Sequence, residues 1–258
     1  MWIVACGLGI AVGVRAESKT KADTRQDSNA PAHPAQTNSP QKEGTPSART
    51  TEHADALDKV LRSMDENAAK FRTAEADFTW TPYNSVINET EAPDKGKIYF
   101  RRVGKEIQMA ARFQPPDNRQ IVFIDGKIQV YQPKTNVLDV YNAGAHKEEV
   151  ESFLVLGFGS SGDDLRKSFD VKYVGEEKIG NVQTAKLQLT PLSAKVKENF
   201  PRIDLWIDPQ RGLSLRQQLF QSGGDYRLAD YANIRLNQKV PDGAFKLKTS
   251  GPTKTVNH

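Results

Sequence analysis

The chain has 258 residues, a mass of 28.7 kDa, a formal net charge of +4 and only 37% hydrophobic residues, with a mean hydropathy of -0.62. That apolar share is below the globular norm, so part of the chain is expected to stay outside any core, and the mild basic charge suits an anionic membrane surface or plain solubility without being a nucleic-acid footprint. The lone Cys6 excludes a disulfide-stapled scaffold, and three of the four histidines (His33, His53 and His258) fall outside any folded pattern, which excludes the usual Cys/His zinc site and leaves nucleophile chemistry only His146.

Residues 1–16 hold an apolar run, 2–14, closed by Val14-Arg15-Ala16, a small-x-small cleavage pattern. This predicts a secretory signal peptide, too short for a spanning helix, and export from the cytoplasm. Ile3-Val4-Ala5-Cys6 also has the form of a lipobox, a competing pattern in which Cys6 would be acylated and anchored. Residues 17–56 contain no Val, Ile, Leu, Met, Phe, Trp, Tyr or Cys. Nothing there offsets the entropy of ordering, so the segment is predicted to be a disordered Ser/Thr/Pro/Gln-rich tether, and 57–258 the folded domain.

Leu57, Val60, Leu61, Met64, Ala68 and Phe71 recur at helical spacing and predict an amphipathic helix of about 16 residues with Asp55 as its N-cap. The period then switches to two. Ala74, Ala76, Phe78 and Trp80 alternate with polar residues, as do Ile98 and Phe100, and then Ile107, Met109, Ala111 and Phe113. Each run reads as a half-buried strand. Strands at 119–124 and 127–132 flank the tight turn Asp125-Gly126, and another follows at 137–141. A helical insert at 146–158 carries Val150, Phe153, Leu154 and Phe158, and a second short helix is predicted at 163–167. Strands resume at 169–175, 184–190, 202–208, 213–222 and 226–237, with a last short one at 245–248. The fold class is therefore mainly β (α+β): one strongly curved antiparallel sheet with helices over its apolar face.

Few motifs suggest chemistry. Gly157-Phe158-Gly159-Ser160-Ser161-Gly162 matches a dinucleotide-loop spacing, but it follows a helix and precedes Asp163-Asp164, so it reads as a flexible helix-to-helix loop. The acidic groups Glu148-Glu149-Glu151, Asp163-Asp164 and Glu176-Glu177 read as solvated faces and turns, and His146 as a capping or exposed residue. No acid-base, nucleophile, metal or cofactor site is predicted, and hence no enzyme. Arg102 shares a strand face with Ile98 and Phe100. Its guanidinium must reach water or bond carbonyls of a covering element, and in the second case it would latch a lid. Arg101 points the other way, toward solvent. The presumed inner surface comprises Phe78, Trp80, Ile98, Phe100, Met109, Phe123, Val130 and Leu138, with Phe153 and Leu154 on the insert above it; composition alone does not separate a filled core from a cavity.

Several pieces of the stretch 57–249 are similar to the periplasmic outer-membrane lipoprotein carrier family, LolA-like proteins. They are Leu57-Asp58-Lys59-Val60, Ala76-Asp77-Phe78-Thr79, Gly96-Lys97-Ile98-Tyr99-Phe100-Arg101-Arg102, the hairpin from Asp125-Gly126-Lys127 to Tyr131-Gln132-Pro133, and Val240-Pro241-Asp242-Gly243-Ala244-Phe245. The resemblance implies an unclosed antiparallel β-barrel of about eleven strands with a helical lid over an apolar cavity for acyl chains. It places the family's latch arginine on Arg102 and the lid on the insert with Phe153 and Leu154. The implied protein is a monomeric periplasmic carrier of acylated lipoproteins or other lipids, working between an inner-membrane release complex and an outer-membrane receptor, without cofactor or nucleic acid. Val103-Gly104 replaces the family's usual Pro after the latch, and the 17–56 tether is atypical of a soluble carrier, so an envelope lipid- or lipoprotein-sensing module on the same fold is the alternative.

Overall fold

The structure, a computed structural model, describes residues 46–144 and 147–258. The chain opens with helix α1 (Pro46–Lys70). The first sheet half follows: β1 (Thr73–Asn84), the two-residue β2 (Glu89–Thr90), β3 (Asp94–Val103), β4 (Glu106–Phe113), β5 (Gln120–Ile124), β6 (Lys127–Gln132) and β7 (Val137–Asn142). Two short helices, α2 (Lys147–Leu154) and α3 (Gly162–Ser168), interrupt the strands. The second half comprises β8 (Phe169–Ile179), β9 (Val182–Pro191), helix α4 (Ala194–Asn199), β10 (Arg202–Asp208), β11 (Leu213–Phe220) and β12 (Tyr226–Leu236), and a final strand β13 (Lys254–Asn257) ends the order.

All strands lie in one open sheet of order β13-β7-β6-β5-β4-β3-β1-β12-β11-β10-β9-β8, with β2 attached to β1. The two sequence halves meet at β1, which pairs β3 on one side and β12 on the other. Irregularities at Glu75/Asp77, Trp206/Ile207 and Tyr173/Gly175 bend their strands, as an extra residue in a ladder does. The result is an unclosed barrel.

Period-two alternation sets the inner face. Ala74, Ala76, Phe78 and Trp80 are buried together with Ile98, Phe100, Met109 and Phe123 in one apolar cluster. A second cluster joins Val60, Leu61 and Met64 of α1 to Leu187, Leu189, Ile203 and Leu205. The helix stripe thus closes one part of the concave face. A third, smaller cluster lies on the other face of the sheet, where Val240, Ala244 and Phe245 pack on Ala110 and Val122.

Four expectations change. The first helix begins at Pro46, so residues 46–56, expected in the disordered tether, are helical, and Asp55 lies inside the helix and is not its N-cap. Its early turns lack an apolar stripe, but residues such as Ala54 and Ala56 continue it without needing one. Residues 245–248 form no strand; a 3₁₀ turn (Asp242–Phe245) stands there instead. Strand β13 pairs in parallel with β7, so the sheet is not wholly antiparallel. Helix α4, which the apolar periodicity missed, starts where the Ser193 hydroxyl accepts from the Val196 amide.

Candidate functional site

The concave face is filled by the chain itself. After α2 the backbone descends into the barrel, and residues 154–160 are all buried. Val150, Leu154, Val155 and Phe158 join the first cluster, and Leu156 joins the second. Phe158 stacks on Phe100 at 5.2 Å between centroids and meets Tyr231 edge-on at 4.7 Å. The glycine-bearing segment is therefore not a flexible surface loop. It connects two helices, as read, but it is a plug. Its glycines serve close approach: a Cβ at Gly157 would lie 2.6 Å from Ser214 Cβ, and one at Gly159 would lie 2.9 Å from the Phe71 ring. Gly157 also takes φ 77°, which L side chains rarely adopt.

Polar groups stitch the plug to both walls. Asn67 of α1 donates its amide to the Phe158 carbonyl at 2.7 Å, and Asp65 accepts from the Gly162 amide at 2.8 Å. Opposite, the Ser214 amide donates to the Gly157 carbonyl at 2.6 Å, and Gln217 Nε2 donates to the Leu156 carbonyl at 2.6 Å. Tyr231 Oη donates to Gln217 Oε1 at 3.3 Å, and burial pushes the Tyr231 phenol far above its ordinary value, keeping it a neutral donor. Between plug and wall a void of about 40 Å³ remains, room for a few waters at most. Trp80, Phe100, Phe153, Leu154, Gln217 and Tyr231 are among its lining, with Leu219 and Arg227 toward the strand ends.

Of the predicted inner residues, Trp80 and Phe100 line this void, while Phe78, Ile98, Met109, Phe123 and Val130 are buried in the packed cluster around it. Leu138 is misplaced by the prediction. It pairs with Tyr131, whose hydroxyl bonds Asn136 and Ser250 on the outer side, so Leu138 faces outward too; the inward positions of β7 are Asp139, opposite Val130, and Tyr141, opposite Ile128. Leu154 is buried in the plug, and Phe153 packs against the second cluster, 5.7 Å from Phe200.

Arg102 has the inward register of Phe100 and Ile107, with its guanidinium 5.7 Å from the Phe71 ring centroid. Its Nε is buried without a hydrogen-bond partner, and among the described residues the side chain reaches no carbonyl of the plug. Arg101 is not a solvent residue. It bonds Gln108 and Asp242 and stacks over Phe245 at 4.3 Å, holding the C-terminal segment to the outer face. Arg112 does the same through the Ala244 carbonyl at 2.7 Å, and burial holds its guanidinium below its ordinary value.

The acidic clusters resolve into structural roles. Asp164 sits in the first turn of α3, where burial opposes its charge but the Ser161 hydroxyl and Lys167 outweigh it and lower its carboxyl. Glu177 accepts from Trp206 Nε1 at 2.7 Å. Among the described residues no cluster of His, Cys, Asp and Glu could hold a metal ion, and no helix is long and apolar enough to cross a membrane. Cys6, the 1–16 segment and His146 lie outside the described residues, as do the side chains of Glu148 and Glu149. The functional residues missed from the sequence are Gln217 and Tyr231. Gln217 carried a signal: it is a polar residue two before Leu219 in a run of alternating leucines, and it lies opposite inward-facing Leu205.

A family model described as outer membrane lipoprotein carrier protein LolA matches residues 69–248. Among solved structures, an uncharacterized conserved protein from Thermus thermophilus is 14% identical and covers 80% of this chain and 99% of its own, with a TM-score of 0.46. The Mycobacterium tuberculosis lipoprotein LppX is 14% identical over 72% of this chain and 98% of its own, with a TM-score of 0.42. MucB in the Pseudomonas aeruginosa MucA/MucB complex is 14% identical over 76% of this chain and 61% of the matched chain, with a TM-score of 0.44. No curated protein sequence matches the chain.

Proposed function

Because the chain belongs to the LolA family of outer membrane lipoprotein carrier proteins, we propose that it binds the acyl chains of lipoproteins inside its barrel and carries them through the periplasm toward the outer membrane. The observation that carries this reading is the plug. The space a cargo chain would need is held by the protein's own Val150, Leu154, Val155, Leu156 and Phe158. Full burial of an aliphatic or aromatic side chain is worth roughly 1.5–3 kcal/mol, so five such side chains contribute roughly 8–15 kcal/mol. A sixteen-carbon acyl chain at about 0.8 kcal/mol per methylene contributes ~12 kcal/mol. Plug and a single cargo chain are therefore near-equivalent, so the two balance and only the further chains of a multiply acylated cargo add to binding. A carrier needs that balance, since a permanently open apolar pocket would bind cargo too tightly to release it.

The apolar run at 2–14 supports export. An inner-membrane complex would supply the cargo and an outer-membrane receptor would take it; both are proposed from the family alone. Among the described residues no side-chain constellation asks for chemistry, and none is needed for transfer by exchange.

The test is transfer of a fluorescent triacylated lipopeptide between donor and acceptor vesicles. The protein should raise the transfer rate in proportion to its concentration and yield a soluble one-to-one complex. Absence of both would overturn the carrier function and favour a protein-binding role on the same fold.

A further inference from the structure

The wall of the residual void is not uniformly apolar. Trp80 is 2% exposed, and its indole Nε1 is buried with no protein group accepting its hydrogen. The Tyr231 oxygen is near enough for the indole N–H to offset part of the burial effect on the phenol, yet the two do not meet in hydrogen-bond geometry. Gln217, 7% exposed, lines the same void and spends its Nε2 on the Leu156 carbonyl of the plug. Both residues thus line a space whose remaining wall is apolar apart from Tyr231 and Arg227. An unsatisfied buried donor is costly, so such groups persist where something fills them.

When the plug leaves, the Leu156 carbonyl leaves with it, and Gln217 Nε2 becomes a second orphan donor beside Trp80 Nε1. Cargo made only of methylenes would bury both without compensation. Cargo with a carbonyl oxygen at this depth would replace the Leu156 carbonyl. We infer that Trp80 and Gln217 form a polar subsite for the carbonyl oxygen of an ester- or amide-linked acyl chain, which the Leu156 carbonyl occupies in the plugged state. The subsite fixes the depth of the chain and discriminates acyl groups from plain alkyl chains. It rests on the carrier function proposed above and adds the chemical class of its cargo.

The probes are dipalmitoyl phosphatidylglycerol and its dihexadecyl ether analogue, which keeps the chain length and headgroup but lacks both carbonyls. The full chain should bind the ester lipid about tenfold more tightly than the ether, the worth of one well-made buried hydrogen bond. In Trp80→Phe the ester advantage should fall to about twofold, with ether affinity nearly unchanged. Should that variant fold poorly, the wild-type protein still decides. Its Trp80 indole N–H resonance, told from those of Trp2 and Trp206 with Trp2→Phe and Trp206→Phe, should move downfield with the ester lipid and stay in place with the ether. Equal affinity for the two lipids, or an indole resonance indifferent to the carbonyl, would overturn the subsite while leaving the carrier function standing. Binding of neither lipid would remove the carrier function, and the subsite with it.

Discussion

If the plug is a separable unit, a single methyl group at Gly159 should loosen it. An alanine Cβ there would sit 2.9, 3.0 and 3.1 Å from Cδ1, Cε1 and Cγ of Phe71, a residue with no exposed surface. Carbon atoms prefer about 3.5–4.0 Å, so plug or ring must shift by roughly half an ångström. Overpacking of this kind costs about 1–3 kcal/mol, which shifts the closed-to-open ratio by about 5- to 150-fold. The same change stiffens the unfolded chain by about 0.4–1 kcal/mol, so global stability should fall by less than plug closure does. Native-state hydrogen exchange separates the two. The amides of Ser214, bonded to the Gly157 carbonyl, and of Gly159, bonded to the Val155 carbonyl, should lose protection by that factor, while Leu187 and Leu205 on paired strands keep theirs. Binding of a lipophilic dye should rise in parallel. Unchanged protection at Ser214 and Gly159, or a loss shared equally by the paired strands, would refute a plug that opens on its own.

Three further outcomes are expected. Arg102→Leu removes a buried Nε that has no hydrogen-bond partner, so stability in urea should stay within about 1 kcal/mol of wild type; since the side chain reaches no plug carbonyl, lipopeptide transfer should also stay near wild type, and a several-fold change would give Arg102 a latch role that the plugged state does not show. Arg112→Ala should release the C-terminal segment from the outer face, since Arg112 holds the Gly243, Ala244 and Lys246 carbonyls; trypsin should then cut at Lys246 or Lys248 many times faster, and wild-type kinetics would count against that fastening. Asp77 has its carboxyl lowered from 3.8 by the Asn233 amide and then by Lys97. A lowered folded value gives stability that is present above the ordinary value and lost as pH falls through the folded one. Because both side chains are partly exposed, the contribution should stay below ~1 kcal/mol. The urea-stability gap between wild type and Asp77→Asn should be open at neutral pH and close in acid, below the ordinary carboxylate value of 3.8; a gap that persists or widens in strong acid would contradict it.

Most strands were legible because one face of each packs on a core while the other meets water, which writes a period of two into the chain. The inward set from Ala74 to Phe123 follows that rule. Leu138 broke it, because β7 turns Asp139 and Tyr141 inward and keeps Leu138 and Val140 for the outer face. Strand β13 was invisible for a related reason: Lys-Thr-Val-Asn at a sheet edge buries little and so carries no pattern. The plug was the instructive failure. Glycine has the same letter whether it frees a loop or lets two backbones touch, and only the neighbours Phe71 and Ser214, distant in sequence, distinguish the cases. Likewise Gln217 could be seen as polar in an apolar register, but its pairing with the Leu156 carbonyl depends on how the insert enters the barrel.

The seam between β1 and β12 also bears on how the protein is made. Ala74 faces Leu236 across it, so residues from near opposite ends of the described chain must meet before the two halves become one sheet. On either side, sheet neighbours are also chain neighbours: β3 to β7 form a run of hairpins, and β8 to β11 follow in order, with α4 between β9 and β10. Local hairpins close cheaply, whereas a long-range pairing waits for its distant partner. The two halves are therefore expected to assemble first as independent meanders and to be stapled last by β12. A chain threaded through a membrane from its N-terminus could not complete its barrel until that strand had emerged, so it would stay pliable for the whole of its passage.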